Sequence, residues 1–323
     1  MSVQRPVALE SIRYVGTGLK RPECVAAGKD GTIYVSHLGA GLMKIAPDGS
    51  QTVLGSTALV DGTPWIPNGF ALLDDGGFLI ANMGEAGGLW KMDTGGNLNP
   101  VLREVDGIPL TATNFVFRDR EGRIWLTVST RQWPISRSFN RTGGRTSADG
   151  YIVLLDNKGP RIVADGLAFA NELRFGPNGH HLYVAETMGS RISRFAVRPG
   201  GHLVDRESFV DFGASAFPDG LAFDEAGFLW TASLISNQVL RVAPDGGSAV
   251  VLEESNPAHV DQIVSKMNDG SIAREDMQTT PARILRNISS LCFGGADRRT
   301  VYIGSLGGDR LVSFRSDVPG AQG

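Results

Sequence analysis

The sequence predicts an all-β fold, a six-bladed β-propeller whose ring is closed by an N-terminal strand that completes the last blade. Three observations support this prediction: a motif recurs six times along the 323 residues, a glycine follows five of its copies at a fixed distance, and short apolar strands follow every copy. Repeats of about 40 to 50 residues that are rich in short strands are typical of propellers. Residues 1–323 are therefore interpreted as a single domain.

Each repeat begins with a polar residue, which we call its anchor. The anchors are spaced by 45, 46, 57, 48 and 70 residues, and they are Glu23, Asn68, Asn114, Asn171, Asp219 and Ser289. Glycine stands eight residues after the first five, at Gly31, Gly76, Gly122, Gly179 and Gly227. Because 42 of the 323 residues are glycine, five such coincidences have a chance of roughly four in a hundred thousand, and we treat the repeat as real.

The strands within each repeat predict a four-stranded antiparallel blade. An apolar strand follows each glycine, a second alternating strand comes next, and turns such as Ala46-Pro47-Asp48-Gly49 separate them. The sixth copy supplies only three strands, between about residues 287 and 316, whereas residues 7–16 predict one strand without a partner. Pairing of that strand with the sixth blade would close the ring and remove its open edges.

Two insertions interrupt the repeat, at about residues 132–150 and 253–286. Both are candidate lids over the mouth where the anchors lie, and the second predicts a short helix around residues 259–267. The first insertion is basic and contains two aromatic residues, and most of it is interpreted as a solvated loop. The side chains concerned are Trp133, Arg137, Phe139, Arg141 and Arg145.

Composition excludes several classes of function. A net charge of −3 and a pI near 6.0 provide no basic surface for nucleic acid. No run of 18 apolar residues predicts a membrane span, and the first residues lack a secretory signal, so the expected location is cytoplasmic. Two cysteines, Cys24 and Cys292, are too few for a disulfide framework. The expected partner is a small-molecule substrate, and the expected state is a monomer or small homo-oligomer.

The anchors form the candidate site. An anchor that starts the innermost strand of its blade lies beside the central channel, so the six should form a ring at one mouth. All six are polar, and two are carboxylates, Glu23 and Asp219. Converging carboxylate and amide oxygens suit calcium, magnesium or manganese. The ring therefore predicts one divalent metal ion, and the alternative is a set of polar side chains that line a water-filled channel.

The loops behind the second strands should flank the same mouth, and they begin at His37, Asn82, Ser129, Glu186, Ser233 and Ser305. His37 is a candidate for proton relay or substrate binding, with a structural hydrogen-bonded histidine as the alternative. Arg131 is a candidate contact for an anionic substrate. The remaining predicted substrate contacts are Asn68, Asn114, Glu172 and Ser289.

Several stretches of the chain resemble a known family. The most specific are Pro218-Asp219-Gly220 and Cys292-Phe293-Gly294-Gly295, and residues 18–23 and 170–179 support them. In these stretches, and over nearly its whole length, the chain resembles the senescence marker protein/gluconolactonase family, also called regucalcin-like, of six-bladed propeller hydrolases.

The resemblance implies a site and a reaction. It implies a divalent metal held by Glu23, Asn171 and Asp219, with Asn114 as a further ligand or substrate contact. It also implies lactone hydrolysis, in which the metal polarises the ester carbonyl and Asp219 acts as general base on a water. Calcium is the first candidate ion, with magnesium, manganese or zinc as alternatives.

Three positions depart from the family's pattern. Ala112 stands where an arginine is common, which argues against a typical sugar lactone, and Phe115 and Glu172 replace other residues. Residues 166–171 and 184–187 are also similar to strictosidine-synthase-like propellers. Two alternatives therefore remain open: a metal-dependent lyase, isomerase or condensing enzyme on the same scaffold, and a non-enzymatic calcium-binding propeller.

Overall fold

A computed structural model describes residues 4–132, 134–137 and 147–322 of the chain. Six four-stranded antiparallel sheets are arranged in a ring, and the inner strands of successive blades contact one another around a channel. The predicted six-bladed propeller is therefore confirmed. Part of the first candidate lid, including Trp133, Phe139, Arg141 and Arg145, lies outside the described residues.

The strands are numbered in chain order. A 3-10 helix over Leu9–Ser11 precedes β1 (Arg13–Val15). Blade one contains β2 (Val25–Ala27), β3 (Ile33–His37), β4 (Gly41–Ile45) and β5 (Gln51–Leu54). The hairpin β6 (Leu59–Val60) and β7 (Thr63–Pro64) leads into blade two, with β8 (Pro67–Leu72), β9 (Phe78–Asn82), β10 (Leu89–Met92) and β11 (Leu98–Leu102). A second hairpin, β12 (Glu104–Val105) and β13 (Ile108–Pro109), leads into blade three, with β14 (Thr113–Arg118), β15 (Ile124–Val128), β16 (Gly150–Asp156) and β17 (Gly159–Leu167).

The second half continues in the same way. Blade four contains β18 (Ala170–Phe175), β19 (His181–Glu186), β20 (Arg191–Arg198) and β21 (His202–Asp211). Blade five contains β22 (Pro218–Phe223), β23 (Leu229–Ser233), β24 (Gln238–Val242) and β25 (Ser248–Glu253). Helix α1 (Pro257–Asp269) precedes blade six, with β26 (Ile288–Gly294), β27 (Thr300–Ser305) and β28 (Leu311–Arg315). Further short 3-10 helices cover Ile135–Arg137, Pro199–Gly201, Gly213–Ser215 and Glu275–Met277.

The ring closes through β1, as predicted. Strand β1 pairs antiparallel with β28, with Tyr14 opposite Val312. The strand is shorter than the predicted residues 7–16, because the chain upstream bends through the 3-10 helix and runs to blade five, where Val7 N–H donates to Val251 O at 2.7 Å. The N-terminal segment therefore supplies the fourth strand of blade six and also contacts the preceding blade.

The repeated glycines have a common backbone conformation. Their φ angles lie between 72° and 85°, the left-handed region that side chains with a Cβ rarely adopt; the five are Gly31, Gly76, Gly122, Gly179 and Gly227. Each stands in the hairpin between the first and second strands of its blade. A tight turn between twisted strands needs a residue that adopts a positive φ at low cost, which accounts for the fixed spacing of glycine in the sequence.

Aromatic side chains join neighbouring blades. Tyr34 and Phe78 lie 5.2 Å apart between blades one and two, and Trp230 and Phe293 meet edge to face at 5.2 Å between blades five and six. Trp125 and Trp230 are fully buried. Buried aromatic pairs supply much of the apolar contact area in a core, so these pairs help to hold the blades at fixed mutual positions.

The second insertion forms the predicted helix. Helix α1 begins after Asn256, whose side chain accepts the N–H of His259 at 3.0 Å, and ends before Gly270 at φ 73°. Its buried residues, Val260, Ile263 and Met267, follow helical spacing and pack on an apolar cluster that includes Phe217 and Leu234. No helix in the described part of the chain is long and apolar enough to cross a membrane.

We expect deletion of residues 1–16 to destabilise the protein by about 2–4 kcal/mol, because β28 becomes an open edge and the partly buried Val7, Leu9 and Ile12 lose their contacts. Urea unfolding followed by circular dichroism measures this loss. Arg13→Ser, which changes an exposed side chain and keeps the backbone pairing, serves as the control. An unchanged unfolding midpoint in the deletion variant would show that β1 does not hold the ring closed.

Candidate active site

Each inner strand becomes irregular where its anchor stands. In blades two to six the pairing register slips at the anchor, as in β8 between Pro67 and Phe70. Such a bulge redirects side chains out of the regular alternation. Blade one reaches the same result differently, because Ser36 Oγ accepts the N–H groups of both Glu23 and Cys24. The anchor side chains therefore do not follow the regular alternation of the sheet.

A second repeated contact forms the rim of the mouth. In five blades the carbonyl of the residue two before the anchor accepts the N–H of the first residue after the second strand. The distances are 2.9 to 3.1 Å, and the pairs are Met83 to Ile66, Ser129 to Ala112, Thr187 to Phe169, Leu234 to Phe217 and Leu306 to Asn287. Both members of each pair are therefore held at the mouth.

The rim contains strained backbone. Four residues two positions before an anchor adopt φ angles between 46° and 65°: Arg21, Ala112, Phe169 and Asn287. Such a conformation costs of the order of 1 kcal/mol or more for a residue with a side chain. It persists because the repeated rim hydrogen bonds and the bulges determine the backbone path, and it turns these residues toward the mouth.

Four anchors line one cavity at this mouth. Glu23, Asn114, Asn171 and Asp219 lie at its base, and the empty space around them, counted together with the solvent at its open side, measures about 480 Å³. All four side chains are buried. The structure thus brings together the four residues that were predicted to hold a metal.

Three of these residues direct unpartnered oxygen atoms into the cavity. Glu23 Oε2, Asn171 Oδ1 and Asp219 Oδ1 are buried and lack a hydrogen-bond donor within the described residues. Buried oxygens without donors are rare in folded proteins, because leaving them unpaired costs free energy. Carboxylate and amide oxygens form a donor set that fits a hard divalent cation. No group of three carboxylate, imidazole or thiol side chains in the described chain could hold a metal, so the amides are essential to the set.

Hydrogen bonds orient the amides. Asn171 Nδ2 donates to Thr187 Oγ1 at 3.1 Å, and that hydroxyl donates to Pro218 O at 2.8 Å. Asn114 Nδ2 donates to Ser129 Oγ at 2.9 Å. With the amide nitrogen of Asn171 fixed in this way, its oxygen is the atom that remains for the cavity, whereas Asn114 Oδ1 also accepts from Asn68 Nδ2 at 3.1 Å.

Asn68 supports the site from the side. Its Nδ2 lies 3.0 Å from Glu23 Oε1 and 3.1 Å from Asn114 Oδ1, while its own Oδ1 accepts from Arg21 Nη2 at 2.8 Å. Asn68 is not among the residues that line the cavity. The side chain that was predicted to contact substrate therefore positions two anchors instead.

The charges at the base of the cavity are unbalanced. Burial raises the pKa of Glu23 to about 7, and the negative charge of Glu172 adds to this, whereas Arg21 opposes it. Burial and the charge of Glu23 hold the pKa of Asp219 well above its usual range. Burial therefore disfavours the ionised form of both carboxyl groups. A bound cation would favour that form and offset the cost of burying the charges.

Glu172 and Ser289 lie beneath or beside the anchors rather than in the cavity. Glu172 accepts from Ser290 Oγ at 2.6 Å and pairs with Arg174 at 3.0 Å, and burial raises its pKa. Arg174 also lies 4.5 Å from the ring of Phe115, so the two sequence departures at Phe115 and Glu172 are linked through one arginine. Ser289 Oγ donates to Glu23 O at 2.7 Å and thereby supports an anchor.

His37 and Arg131 are also absent from the cavity lining. The Nδ1 of His37 accepts the N–H of Lys20 at 3.3 Å, and burial followed by Lys20 lowers its pKa. Arg131 pairs with Asp165 at 2.6 Å and lies over the ring of Tyr151. These contacts favour structural roles for both side chains.

Several loop residues that line the cavity follow, by one position in the sequence, a residue that was expected to line it. Met83, Thr187, Leu234 and Leu306 line it, whereas their predecessors, Asn82, Glu186, Ser233 and Ser305, do not. The reason is the alternation of side chains along a strand, which directs consecutive residues to opposite faces. Arg21 and Arg274 were missed as well; Arg21 stands two residues before an anchor, and that recurring position was the available signal.

A larger cavity of about 1,610 Å³ lies away from the anchors and is lined by Phe117, Arg174, Phe175, Phe223 and Phe293 among others. None of its described lining side chains leaves a buried polar atom without a partner. Size therefore favours this cavity, but the donor chemistry favours the smaller one, and we assign the candidate site to the anchors.

Comparison with known proteins agrees with this geometry. Residues 20–260 match the family described as SMP-30/Gluconolactonase/LRE-like region. The 6-deoxy-6-sulfogluconolactonase of Pseudomonas putida is 26% identical over 257 residues, covering 77% of this chain and 72% of that protein. A gluconolactonase structure from Xanthomonas campestris superposes with a TM-score of 0.69 at 22% identity, covering 98% and 95%. A calcium-binding regucalcin structure from Agrobacterium tumefaciens strain C58 gives a TM-score of 0.69 at 18% identity, covering 98% of each chain. The two structures agree with this chain in fold.

In the metal-free protein we expect stability to fall as pH rises. The pKa of Glu23 is about 7 in the folded chain against an ordinary 4.5, so between these values the folded state binds more protons than the unfolded state, and the free energy of unfolding decreases with pH. Asp219 acts in the same direction. Urea midpoints measured between pH 5 and 8 with chelator present test this.

Glu23→Gln should flatten that pH profile, because the substituted side chain no longer titrates. Glu225→Gln, a change of an exposed carboxylate, should leave the slope as in the wild type. Equal slopes in the wild type and Glu23→Gln would contradict the assignment of the titration to the cavity.

Proposed function

Because the chain belongs to the SMP-30/gluconolactonase/LRE-like family, we propose that it is a divalent-metal-dependent hydrolase of a lactone or related cyclic ester. The observation that carries the proposal is the set of three buried, unpartnered oxygens contributed by Glu23, Asn171 and Asp219 to one cavity. Relatives that bear the name of lactonase support the reaction class.

Glu23, Asn171 and Asp219 would hold the ion, with Asn114 as a further ligand or a substrate contact. The all-oxygen set favours calcium, which accepts flexible geometries with six to eight oxygens, and water or substrate would complete it. Magnesium, manganese and zinc also accept such oxygens. A bound ion would polarise the carbonyl of the ester and stabilise the negative charge that develops on its oxygen.

Asp219 would act as the general base. A carboxylate can bind an ion through one oxygen and accept a proton on the other, and the Asp219 carboxylate is buried in the cavity lining. It would accept a proton from a water as the water oxygen bonds to the carbonyl carbon. The acyl–oxygen bond of the ring then breaks, the ring oxygen takes up a proton, and the product is a hydroxy acid.

The residues around Asp219 would keep this geometry fixed. Thr187 links two blades by accepting from Asn171 and donating to Pro218, the residue next to Asp219. Arg21 donates to Asn68 and its positive charge opposes the rise in the pKa of Glu23, so it favours the ionised form of that ligand. Prior fixing of the reacting groups lowers the entropic part of the barrier.

Hydrolysis of a panel of five- and six-membered lactones, followed as proton release in weak buffer, tests the proposal. We expect turnover in the calcium-loaded protein, loss of turnover on chelation and recovery when calcium is restored, because the base alone lacks the charge that stabilises the oxyanion. The absence of turnover with every lactone of the panel, in a protein that retains a metal, would favour the lyase or isomerase alternative.

Substitution of the carboxylates tests the site itself. Glu23→Gln and Asp219→Asn should each weaken calcium binding by more than the roughly 10–100-fold that is typical when only a supporting residue is changed, and should abolish turnover. Isothermal titration calorimetry measures binding, and circular dichroism checks that the β-rich fold persists. Glu225→Gln is the matched control on the surface. Wild-type calcium affinity in both cavity variants would contradict the proposed ligands.

A further inference from the structure

The wall of the cavity above the anchors is mostly apolar. Its apolar members are Met83, Ile135, Phe169, Leu234, Met277 and Leu306. The polar groups that remain above the anchors are few: Thr187 is occupied by its bonds to Asn171 and Pro218, and Gln278 is exposed. A polyhydroxylated ring would leave most of its hydroxyl groups without partners in this wall, which costs affinity. The wall instead suits an apolar ring system.

Two arginines stand in this apolar wall. Arg21 and Arg274 both line the cavity, and neither forms an ion pair with a carboxylate of the described residues. Arg21 Nε is buried without a partner in the described chain. Burial lowers the pKa of Arg21, the negative charges of Glu23 and Asp219 oppose this, and the positive charge of Arg274 adds to it. Glu23 and Asp219 are the acidic side chains of the described lining, and in the calcium-loaded protein both would bind the ion, which leaves no further carboxylate of that lining for the two arginines.

The backbone of Arg274 is firmly held although its guanidinium is free. It stands in the turn after α1, where Lys266 pairs with Asp276 at 2.6 Å and Asp276 accepts the N–H of Ala273 at 2.8 Å. Asn287 Nδ2 donates to Met277 O at 2.9 Å, which ties the turn to the rim of blade six. A fixed backbone that presents an arginine without a partner is a preorganised anion contact.

We propose that the substrate is an apolar, aryl-bearing lactone with a carboxylate substituent, which Arg21 and Arg274 bind together while the ester faces the anchors. This rests on the proposed hydrolase function. Arginine is suited to this task because its planar guanidinium binds a carboxylate through paired hydrogen bonds. The second insertion, through Arg274 and Met277, thereby determines which lactone is accepted.

Two non-hydrolysable lactams test the proposal by binding alone: 5-(4-carboxyphenyl)pyrrolidin-2-one and its uncharged 5-phenyl counterpart. In calorimetry with calcium-loaded protein, we expect the carboxylate lactam to bind at least 10-fold more tightly. Arg274→Gln should weaken the carboxylate lactam by about 10- to 100-fold and leave the phenyl lactam unchanged. Arg283→Gln, an exposed arginine of the same insertion that does not line the cavity, is the matched control.

Equal affinity for the two lactams, an equal loss of both in Arg274→Gln, or no binding of the carboxylate lactam would each overturn the proposal. Because binding needs no turnover, the outcome is separable from that of the proposed reaction. Arg274-dependent binding without hydrolysis of the corresponding lactone would keep the ligand class and reject the hydrolase. Hydrolysis of both lactones at equal kcat/KM would keep the hydrolase and reject the ligand class.

Discussion

The candidate site depends on one backbone constraint, the irregular start of each innermost strand. A regular strand would direct alternate side chains into the interfaces between blades, where apolar residues are required. The bulges in blades two to six release the anchors from this alternation, and the hydroxyl of Ser36 replaces the missing ladder contacts in blade one. The rim hydrogen bonds and the left-handed residues before the anchors follow from the same backbone path.

This constraint brings polar groups together at a cost that the chain alone does not offset. Glu23 and Asp219 are both buried and repel each other, and three oxygens have no donor in the described residues. By contrast, the third buried carboxyl group, Glu172, is paired with Arg174, Ser290 and the N–H of Leu221. Glu172 has hydrogen-bond partners, whereas Glu23 and Asp219 each leave an oxygen without one. This difference distinguishes a binding site from side chains that only line a channel.

The base and the wall of the cavity have different origins. The base comes from the repeat, with one anchor per blade, and its chemistry follows from positions that every blade shares. The wall comes from rim residues and from the insertions, which contribute Ile135, Arg274 and Met277. Because insertions at loops change without disturbing the ring, one propeller can keep its base and acquire a new substrate wall.

The sequence by itself determined the propeller, its closure by β1, the helix in the second insertion and the four anchors at the base of the cavity. These features rest on periodic spacing, which a folded repeat converts directly into equivalent positions in space. The periodic spacing alone did not separate Asn114 and Asn171 from Asn68 and Ser289, because the direction of an anchor depends on its hydrogen bonds to neighbouring blades; the family resemblance made that separation. The sequence also pointed to Asn82 and Ser305, each of which stands one residue before a side chain that lines the cavity. Neither Arg21 nor Arg274 was predicted from it. Only the tertiary structure decided which side chains meet across the cavity, because those residues are joined by the closure of the ring and by the path of an insertion that has no period.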